Sequence, residues 1–405
     1  MRILLVTQYF YPENFKSNDI AFELKKRGYE VDVLAGIPNY PEGRYYKGYS
    51  IFQKRIELIN GVRVFRAFQT PRRRNSGLLL ALNYLTYVLF ASIWALFLSF
   101  RYKYKCVIVH EPSPITQGIP AIIVKKIQKI PLYFWVLDIW PDAMTSGGGI
   151  SNKFILGFVD SIVKFIYRNS DKILISSKGF KQNISSKGNF NEKLIYFPNW
   201  SEDILKMSDN YPIPNLPKGF RITLAGNLGN SQNLDAVMNA ALILKDEIDV
   251  KWLLIGDGSK KEWIDRFIIE NQLENNVYTF GKYPFEAIPA FYKESDALLL
   301  TLKGEFPHLR LVVPARLQSY MAAGKPVIGM IDGGGAELIK ESKCGIAVNS
   351  GDYIALANLI KEIILPNKTE FVKLGINGRK YFENNFQKDI CISNLCKIIE
   401  NIKQN

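Results

Sequence analysis

Short apolar runs at regular intervals predict two parallel β-sheets in this chain. Near-continuous apolar stretches are typical of strands buried on both faces, and the segments between them have helical periodicity. This alternation indicates βαβ units. In the first half the predicted strands lie in ILLVTQYF, YEVDVLAG, CVIVHEPSP, PLYFWVLDIWPD and DKILISSKG. In the second half they lie in FRITLAGN, KWLLIGDG, NVYTFG, ALLLTL, KPVIGMI and GIAVNS.

Two local signals add detail to the first half. Apolar residues alternate on either side of Asn60-Gly61 in KRIELINGVRVFRAF, which predicts a β-hairpin. Ser17, Asn18 and Asp19 offer side-chain oxygens that would cap the start of a helix running to Gly28.

The strand–helix rhythm breaks near Trp200, where SDNYPIPNLPKGF contains three prolines and a glycine. This composition predicts a linker over residues 201–218. The linker separates a first domain, 1–200, from a second, 219–373, and the helices of 374–405 are expected to pack back toward the first domain. The predicted fold class is α/β, with two Rossmann-like doubly wound domains and a cleft between them. Ligands of such sheets bind at the carboxyl ends of the strands.

A segment without charge runs from Asn75 to Phe100. As a helix, residues 77–100 would be about 36 Å long, enough to cross the hydrocarbon core of a bilayer. Three structures fit: a core helix, a membrane span, and a helix that packs on the sheet with one face and dips into the bilayer with the other. We favour the third, with basic residues of segment 72–105 on anionic lipid. These flanking residues are Arg72, Arg73, Arg74, Arg101, Lys103 and Lys105.

The positive charge of the chain is concentrated in its first half. The 405 residues have a formal net charge of +14. Residues 1–200 contain 28 basic and 13 acidic side chains, whereas residues 201–405 contain 24 basic and 25 acidic ones. A basic half favours a phosphate-bearing partner: nucleic acid, anionic lipid or a phosphorylated substrate. The cysteines are too scattered for a zinc site or a disulfide framework, which fits a reducing cytoplasm.

Two glycine-bearing turns follow strands of the second domain, at Gly226-Asn227 and at Gly256. Glycine there would let backbone N–H groups approach a phosphate, assisted by the dipole of the following helix. The alternative is an ordinary turn between a strand and a helix. Neither turn has the spacing of a dinucleotide-binding motif or a P-loop, so those classes are disfavoured and no cofactor is expected.

The stretch from Arg310 to Val348 combines the helix of VPARLQSYMAAGKPVIG with the glycine-rich GGGAELI. With AGNLGNSQNLDAV and LLIGDGSKKEWI, it resembles the nucleotide-binding half of the family 4 glycosyltransferases. QYFYPEN, GIPNYPEG, HEPSPIT and LDIWPDA look like the first half of the same family. The resemblance covers nearly the whole chain and is greatest for the bacterial O-antigen and capsule branch of the WbuB type. It implies the GT-B fold, a UDP-sugar donor such as UDP-N-acetyl-fucosamine, and retention of the anomeric configuration.

The chain departs from the family pattern at the donor site. Many members carry a Glu-x7-Glu pair that holds the donor sugar and ribose, and Leu311 and Ser319 stand at those places. Asn227 and Gln232 stand where many members have an Arg and a Lys that meet the pyrophosphate. Arg316 stands where this branch often has a basic residue, and its guanidinium fork suits a diphosphate. A solvated charge on a helix face is the alternative.

The predicted donor site therefore combines the two glycine turns, the helix before Gly324 and the triple glycine. Glu337 follows the triple glycine at a helix start, where the resemblance places a residue beside the donor. A carboxylate that complements the helix dipole is the alternative. The predicted donor-binding residues are Gly226, Asn227, Gln232, Gly256, Arg316, Ser319, Gly334, Gly335, Ala336 and Glu337.

Polar residues at strand ends of the first domain form the predicted acceptor side. His110 and Glu111 end one strand and Asp138 ends another, and a histidine or carboxylate at this edge can orient or deprotonate an acceptor hydroxyl. A packed strand-end histidine and a helix-capping aspartate are the alternatives. Aromatic and amide side chains on the first two loops suit sugar hydroxyls, or simply pack the loops. The predicted acceptor-binding residues are Tyr9, Asn14, Asn39 and Tyr40.

The sequence contains no pair of aspartates separated by one residue, and only two histidines. We therefore expect metal-independent transfer, in which helix N-termini and arginine stabilise the departing diphosphate.

The predicted function is that of a glycosyltransferase at the inner face of the cytoplasmic membrane. It would move an N-acetylated deoxy-hexose from a UDP-sugar to a lipid-diphosphate-linked acceptor in O-antigen or capsule assembly. One rival is a UDP-sugar 2-epimerase of the same architecture, which needs no lipid acceptor. A second rival is a non-catalytic sugar-nucleotide-binding subunit, because the family's acidic and basic donor contacts are missing. Nucleic acid is not expected as a partner, because the basic half carries no recognised binding motif.

Overall fold

The computed structural model of the protein describes residues 1–72, 77–148, 150–207 and 211–401. Parts of three sequence-based predictions lie outside these residues. They are Arg73 and Arg74 of the basic cluster with residues 75–76 of the apolar segment, residues 208–210 of the linker, and residues 402–405 of the terminal helices.

The chain divides into two compact units, and unit 1 consists of Met1–Phe197 and Ile392–Asn405. Its strands are β1 (Arg2–Val6), β2 (Glu30–Gly36), β3 (Ile56–Ile59), β4 (Val62–Ala67), β5 (Cys106–Glu111), β6 (Leu132–Val136), β7 (Lys172–Ile175) and β8 (Leu194–Tyr196). Its helices are α1 (Lys16–Lys26), α2 (Gly77–Arg101), α3 (Gly118–Gln128), α4 (Asp142–Gly148), α5 (Lys153–Asn169) and α6 (Phe180–Ser186).

The sheet of unit 1 has the strand order β3-β4-β2-β1-β5-β6-β7-β8. Neighbouring strands are parallel except β3 and β4, which form the predicted hairpin. The hairpin turn residues Asn60 and Gly61 have φ angles of 50° and 78°, as a type I′ turn requires. The chain order reverses between β1 and β5. The loops that follow β1, β2, β5 and β6 therefore meet at the carboxyl edge of the sheet.

Helix α1 begins one residue before Ser17, so Ser17, Asn18 and Asp19 lie inside its first turn. The prediction that these residues cap the helix is therefore wrong. Two of the side chains instead hold the loop after β1. Ser17 Oγ donates a hydrogen bond to the Tyr9 carbonyl at 2.8 Å, and Asn18 Oδ1 accepts one from the Tyr11 amide at 2.8 Å.

Unit 2 consists of Pro198–Cys391 and repeats the strand–helix alternation. Its strands are β9 (Phe220–Ala225), β10 (Val250–Ile255), β11 (Val277–Gly281), β12 (Ala297–Thr301), β13 (Val327–Met330) and β14 (Gly345–Val348). Its helices are α7 (Leu234–Ile243), α8 (Lys261–Glu270), α9 (Ile288–Lys293), α10 (Pro307–Leu311), α11 (Ala315–Ala322), α12 (Gly333–Ser342), α13 (Tyr353–Asn358), α14 (Lys368–Asn385) and the first residues of α15 (Lys388–Asn401), which continues into unit 1.

The sheet of unit 2 has the order β11-β10-β9-β12-β13-β14, and all of its pairs are parallel. The side chains of Ile222, Leu224 and Trp252 are buried in the core beneath it. The chain order reverses between β9 and β12, so a ligand is expected near the carboxyl ends of these strands.

The beginning of the predicted linker 201–218 is held on unit 2. Asp203 accepts hydrogen bonds from Arg379 of α14, at 2.5 Å to Nη1 and 2.9 Å to Nη2. Ser201 Oγ lies 2.8 Å from Ser319 Oγ of α11. The described residues just after Pro198 are therefore part of the folded body of unit 2.

Helix α2 has one buried face and one exposed apolar face. By length and composition α2 could cross a membrane, although the core helix of a soluble protein can meet the same criteria. The 18-residue apolar window of α2 that meets them is only 22% buried. Tyr87, Ala91, Ala95 and Leu98 are buried, and this face packs on α3, β2 and β4. The opposite face carries an exposed apolar stripe of Leu78, Leu82, Leu85, Leu89, Ile93, Leu96, Phe97 and Phe100.

Candidate functional site

A cavity of about 590 Å³ opens at the carboxyl ends of β9, β10 and β11 in unit 2. Ligand pockets typically measure about 300–1,000 Å³, so this one has the size for a nucleotide. We call it the donor cavity. Five of the predicted donor-binding residues meet there, namely Gly226, Asn227, Gly256, Arg316 and Ser319.

The glycine corners of the donor cavity allow two backbone loops to touch. Gly256 has a φ of +143°, and a Cβ on it would lie 1.8 Å from the carbonyl oxygen of Gly226. A Cβ on Gly226 would lie 3.2 Å from Nε of Arg316. A side chain on Gly256 would therefore collide with the neighbouring loop, and one on Gly226 would crowd Arg316. The amides of Gly226 and Gly256 themselves already donate hydrogen bonds, to the carbonyls of Ile255 at 2.8 Å and of Gly281 at 2.7 Å.

Arg316 is the second residue of α11, which begins directly after Pro314. Its Nη1 is buried and has no hydrogen-bond partner among the residues that the structure describes. A charged donor that is removed from water without an acceptor is unfavourable, since each guanidinium N–H needs a partner. The geometry thus presents an unsatisfied cationic donor at the wall of the donor cavity.

Other walls of the donor cavity come from segments that the sequence did not single out. Lys282, Tyr283, Phe285 and Ile288 follow β11 and supply one exposed cation and an apolar surface. Ile204 comes from the predicted linker. The available signal was the run KYPF directly after a strand, because ligands of parallel sheets bind at that position.

Five predicted donor-binding residues do not line this cavity: Gln232, Gly334, Gly335, Ala336 and Glu337. Gln232 is buried, and its backbone carbonyl accepts a hydrogen bond from the Thr301 hydroxyl at 2.5 Å. Helix α12 begins at Gly333, so the other glycines form its first turn. The expectation that Glu337 stands at the helix start needs correction, because Glu337 lies one turn further along and is exposed.

A second cavity of about 400 Å³ lies at the carboxyl ends of β12, β13 and β14. Its walls are mostly polar and contain Lys303 and Glu305, which pair at 3.1 Å, and Arg310 and Asp332, which pair at 3.5 Å. Asp332 directly precedes α12. The two cavities therefore occupy neighbouring halves of one sheet edge.

The carboxyl edge of the unit 1 sheet holds two buried residues at the end of β5. The His110 ring is 1% exposed, lies 5.3 Å from the Trp135 ring, and places Nδ1 3.3 Å from the Thr7 hydroxyl. Burial lowers the pKa of His110 to about 3. The imidazole is therefore neutral at ordinary pH, and this environment favours a packed strand-end histidine over a base that meets substrate.

Glu111 and Asp138 form a carboxyl pair beside that histidine. Glu111 Oε2 accepts from the amide of Leu137 at 3.3 Å, whereas Oε1 has no hydrogen-bond partner in the described part of the chain. Burial, and secondarily the charge of Asp138, raise the pKa of Glu111 well above its usual value. Burial also raises the pKa of Asp138 to about 6, although the hydrogen bond that Ser113 Oγ donates to it at 2.9 Å acts to lower this pKa. Such an arrangement keeps one carboxyl protonated beside one that ionises near neutrality.

The loops after β1 and β2 are joined by Glu13, which the sequence did not single out. Its Oε1 accepts from the amides of Asn39 at 2.8 Å and Tyr40 at 2.7 Å, and its Oε2 accepts from the amide of Phe10 at 3.2 Å. Burial raises the pKa of Glu13 to about 7, and these hydrogen bonds oppose the shift. Glu13 therefore fixes the positions of the predicted acceptor loops.

The predicted acceptor-binding residues occupy different environments. Tyr9 is buried, and its ring lies 5.7 Å from the ring of the partly exposed Tyr40. Asn39 is buried and its side chain holds the loop, with Nδ2 donating to the Ile37 carbonyl at 3.1 Å. Asn14 is exposed. Among residues 1–72, 77–148, 150–207 and 211–401, no group of three or more His, Cys, Asp or Glu side chains is placed to hold a metal ion.

Two protein-family models match the chain. Residues 17–200 match the glycosyl transferase 4-like domain, and residues 219–365 match the glycosyl transferases group 1 model. A putative colanic acid biosynthesis glycosyl transferase of Escherichia coli (strain K12), WcaI, is 26% identical over 323 residues, which span 74% of this chain and 75% of that protein.

Solved structures resemble the chain over its whole length. Sucrose-phosphate synthase from Thermosynechococcus elongatus has a TM-score of 0.74 at 14% identity, covering 99% of this chain and 98% of that chain. The Anabaena protein Alr3699/HepE, in complex with UDP and glucose, has a TM-score of 0.65 at 16% identity, covering 98% of this chain and 99% of that chain. These similarities confirm the predicted GT-B fold of two Rossmann-like α/β domains.

Proposed function

Because the chain belongs to the group 1 glycosyltransferases, we propose that it transfers a sugar from a UDP-sugar to a lipid-diphosphate-linked acceptor. The process we propose is the assembly of a bacterial surface polysaccharide, O-antigen or capsule, and the relative WcaI is named for the biosynthesis of colanic acid. The proposed sugar is an N-acetylated deoxy-hexose such as N-acetyl-fucosamine, by resemblance to the WbuB type. The observation that carries the proposal is that Nη1 of Arg316, a residue lining a nucleotide-sized cavity, has no hydrogen-bond partner among the described residues.

The donor cavity offers each chemical part of a UDP-sugar a matching surface. Tyr283, Phe285 and Ile288 give an apolar wall for the base. The Arg316 fork can bind two phosphate oxygens at once, which a lysine cannot do. Ser319 brings a hydroxyl to the place where many relatives have a carboxylate that binds ribose.

The chemical step releases UDP, whose diphosphate gains negative charge as the glycosidic bond breaks. Arg316 would stabilise this charge without a divalent metal. The outcome we propose is retention of the anomeric configuration, as the family resemblance implies. No residue is proposed as a covalent nucleophile.

On the acceptor side, Asp138 is the proposed base for the attacking hydroxyl. Its pKa of about 6 leaves it ionised near neutral pH and able to take a proton from the substrate. Burial raises the pKa of the neighbouring Glu111 carboxyl well above its usual value, which favours its protonated form. His110 is proposed to support the packing of this edge instead of touching substrate.

The proposed location is the cytoplasmic face of the inner membrane, with α2 lying on the bilayer and not spanning it. One face of α2 packs on the sheet and the apolar stripe is exposed, as an interfacial helix requires. Arg101 at its end and Lys103 and Lys105 beyond it provide cations for anionic headgroups. Helix α5 exposes Phe154 and Phe158, and it packs on α3, which packs on α2. Exposed apolar groups therefore occur on α5 as well as on α2.

A transfer assay tests the proposal. The full-length protein in detergent, with EDTA, is incubated with a panel of UDP-sugars and synthetic prenyl-diphosphate-linked sugars. The expected result is release of UDP together with a longer lipid-linked glycan, whose anomeric configuration is read by NMR. Conversion of the donor to a different UDP-sugar without acceptor would identify an epimerase instead. UDP binding without turnover on any acceptor would identify a sugar-nucleotide-binding subunit.

A further inference from the structure

Arg72 lies among aromatic rings at the carboxyl edge of unit 1, and neither the donor cavity nor the proposed base uses it. Its guanidinium carbon lies 5.1 Å from the ring centre of Tyr40 and 6.0 Å from that of Tyr9. Its Nη1 donates to the Tyr9 hydroxyl at 3.2 Å, and its amide donates to Asn39 Oδ1 at 3.3 Å. The sequence assigned Arg72 to the lipid-facing cluster, but its side chain contacts the acceptor loops.

The guanidinium of Arg72 is half-buried and has no carboxylate within ion-pairing distance among the described residues. The neighbouring ring faces compensate only part of the cost of removing this charge from water. A phosphate group would supply the missing anion, because a guanidinium fork matches two of its oxygens. The position is thus a preformed anion site with aromatic walls.

A line of contacts connects this anion site to the proposed base. Tyr84 of α2 interacts through its hydroxyl with that of Tyr9 and is also within electrostatic reach of Arg72. The Tyr84 ring lies 6.4 Å from that of Trp140. The Trp140 indole donates to Ser113 Oγ at 3.2 Å, and Ser113 Oγ donates to Asp138 at 2.9 Å.

We infer that Arg72, with Tyr9, Tyr40 and Tyr84, binds the diphosphate of the lipid-linked acceptor. This inference rests on the proposed function and assigns its acceptor site. The first sugar of such an acceptor extends past Tyr84 toward Asp138. Its lipid tail leaves along α2, whose apolar stripe begins at Leu78, soon after Arg72 in the chain. Helix α2 thereby serves both ends of the acceptor, with Tyr84 facing the sugar and the stripe facing the lipid.

Titration with farnesyl diphosphate tests the inference in the full-length, detergent-solubilised protein. Farnesyl diphosphate carries the diphosphate and a prenyl chain, whereas farnesol lacks the phosphates. The expected result is binding of farnesyl diphosphate and not of farnesol. Arg72→Gln should weaken that affinity by about tenfold or more, as loss of a charged hydrogen bond does, and Arg72→Lys should weaken it less. UDP affinity should stay unchanged in both variants, which also reports that they are folded.

Two control variants test whether farnesyl diphosphate binds in the donor cavity instead, and whether Arg72 binds lipid headgroups instead. Arg316→Gln should weaken UDP binding and leave farnesyl diphosphate binding intact, so a loss of both would place the probe in the donor cavity and overturn the inference. Arg101→Gln should weaken binding to vesicles of phosphatidylglycerol and phosphatidylcholine without changing farnesyl diphosphate affinity. If Arg72→Gln loses vesicle binding but keeps farnesyl diphosphate affinity, Arg72 binds headgroups and the inference is wrong. Failure of UDP to bind the wild-type protein would contradict the proposed donor. The farnesyl diphosphate titration would still decide whether Arg72 binds the acceptor diphosphate.

Discussion

The α-carbon of Gly256 faces the carbonyl oxygen of Gly226 so closely that a Cβ on Gly256 would lie 1.8 Å from that oxygen. The contact joins the loops after β9 and β10 and sets the floor of the donor cavity. Gly256 also has a φ of +143°, a conformation that side chains other than glycine rarely adopt. The packing of the two loops therefore explains why both corners are glycine, without reference to a ligand.

Replacing Gly256 with alanine is expected to destabilise unit 2. The strained φ and the steric overlap together should lower the free energy of unfolding by about 2–5 kcal/mol, as measured by urea denaturation. Gly281→Ala is the matched control, because Gly281 has a φ of +73° and no atom within 4 Å of its hypothetical Cβ. The control should lose only about 1–2 kcal/mol. Equal losses would show that the contact with Gly226 does not matter.

Replacing Arg316 with alanine is expected to weaken UDP binding. Removing its charged hydrogen bonds should cost about 1.5–3 kcal/mol, which is a loss of about tenfold or more in affinity by calorimetry. Arg266 is exposed on α8 and outside the lining of the donor cavity, so Arg266→Ala should bind UDP like the wild type. An Arg316→Ala protein with undiminished affinity would remove Arg316 from the site.

Replacing Asp138 with asparagine is expected to abolish most of the turnover while UDP affinity stays the same. In the wild type, the carboxylate form increases as the pH rises through the pKa of about 6. The acidic limb of kcat/KM should therefore bend near this pH and fall about tenfold per unit below it. Asp142→Asn, at the first residue of α4, is the matched control and should keep its turnover. Full turnover by Asp138→Asn would exclude Asp138 as the base.

Glu13 is expected to make stability fall with rising pH. Burial raises its pKa from 4.5 to about 7, so between these values the folded protein holds a proton that the unfolded chain has released. Stability is therefore highest below this window and is lost as the pH rises through it, by roughly 3 kcal/mol. Urea denaturation of Glu13→Gln should show a flatter dependence between pH 5 and 8 than the wild type, while the exposed Glu42→Gln should not. An unchanged slope for Glu13→Gln would contradict the account.

The apolar stripe of α2 is expected to drive membrane binding. Changing Leu85, Leu89 and Ile93 together to glutamine should abolish sedimentation with vesicles of phosphatidylglycerol and phosphatidylcholine, because about 2 kcal/mol of burial is lost per side chain. A matched control changes three exposed apolar residues of unit 2, Ile363, Val372 and Ile376, in the same way. Equal sedimentation of both variants would show that the stripe does not contact lipid.

The sheets of both units were predictable because buried parallel strands leave near-continuous apolar runs. The Asn60-Gly61 hairpin followed from turn chemistry, which is also local. The role of Ser17 was not predictable, because its oxygen serves equally well to cap a helix or to hold the neighbouring loop. Only the tertiary structure decides between these two uses.

The donor cavity was predictable in part. Gly226 was found because a glycine turn after a strand has a recognisable chemistry, and Arg316 was found through the family resemblance. Ile204 was missed because its segment approaches the cavity only after folding, whereas Lys282 was missed although its position directly after β11 was an available signal. The direction of the Arg72 side chain could not be read from the sequence either, since a basic run before an apolar helix equally fits a lipid-facing cluster.

Calorimetric titration of the wild type with UDP, GDP and NAD in the presence of EDTA tests the central claim most directly. The account predicts that UDP binds without a divalent metal and that GDP and NAD bind at least about tenfold more weakly, since discrimination of about 1.4 kcal/mol gives that factor. Binding of GDP or NAD as tight as that of UDP, or no binding by any of the three, would contradict a uridine-diphosphate sugar site in the donor cavity.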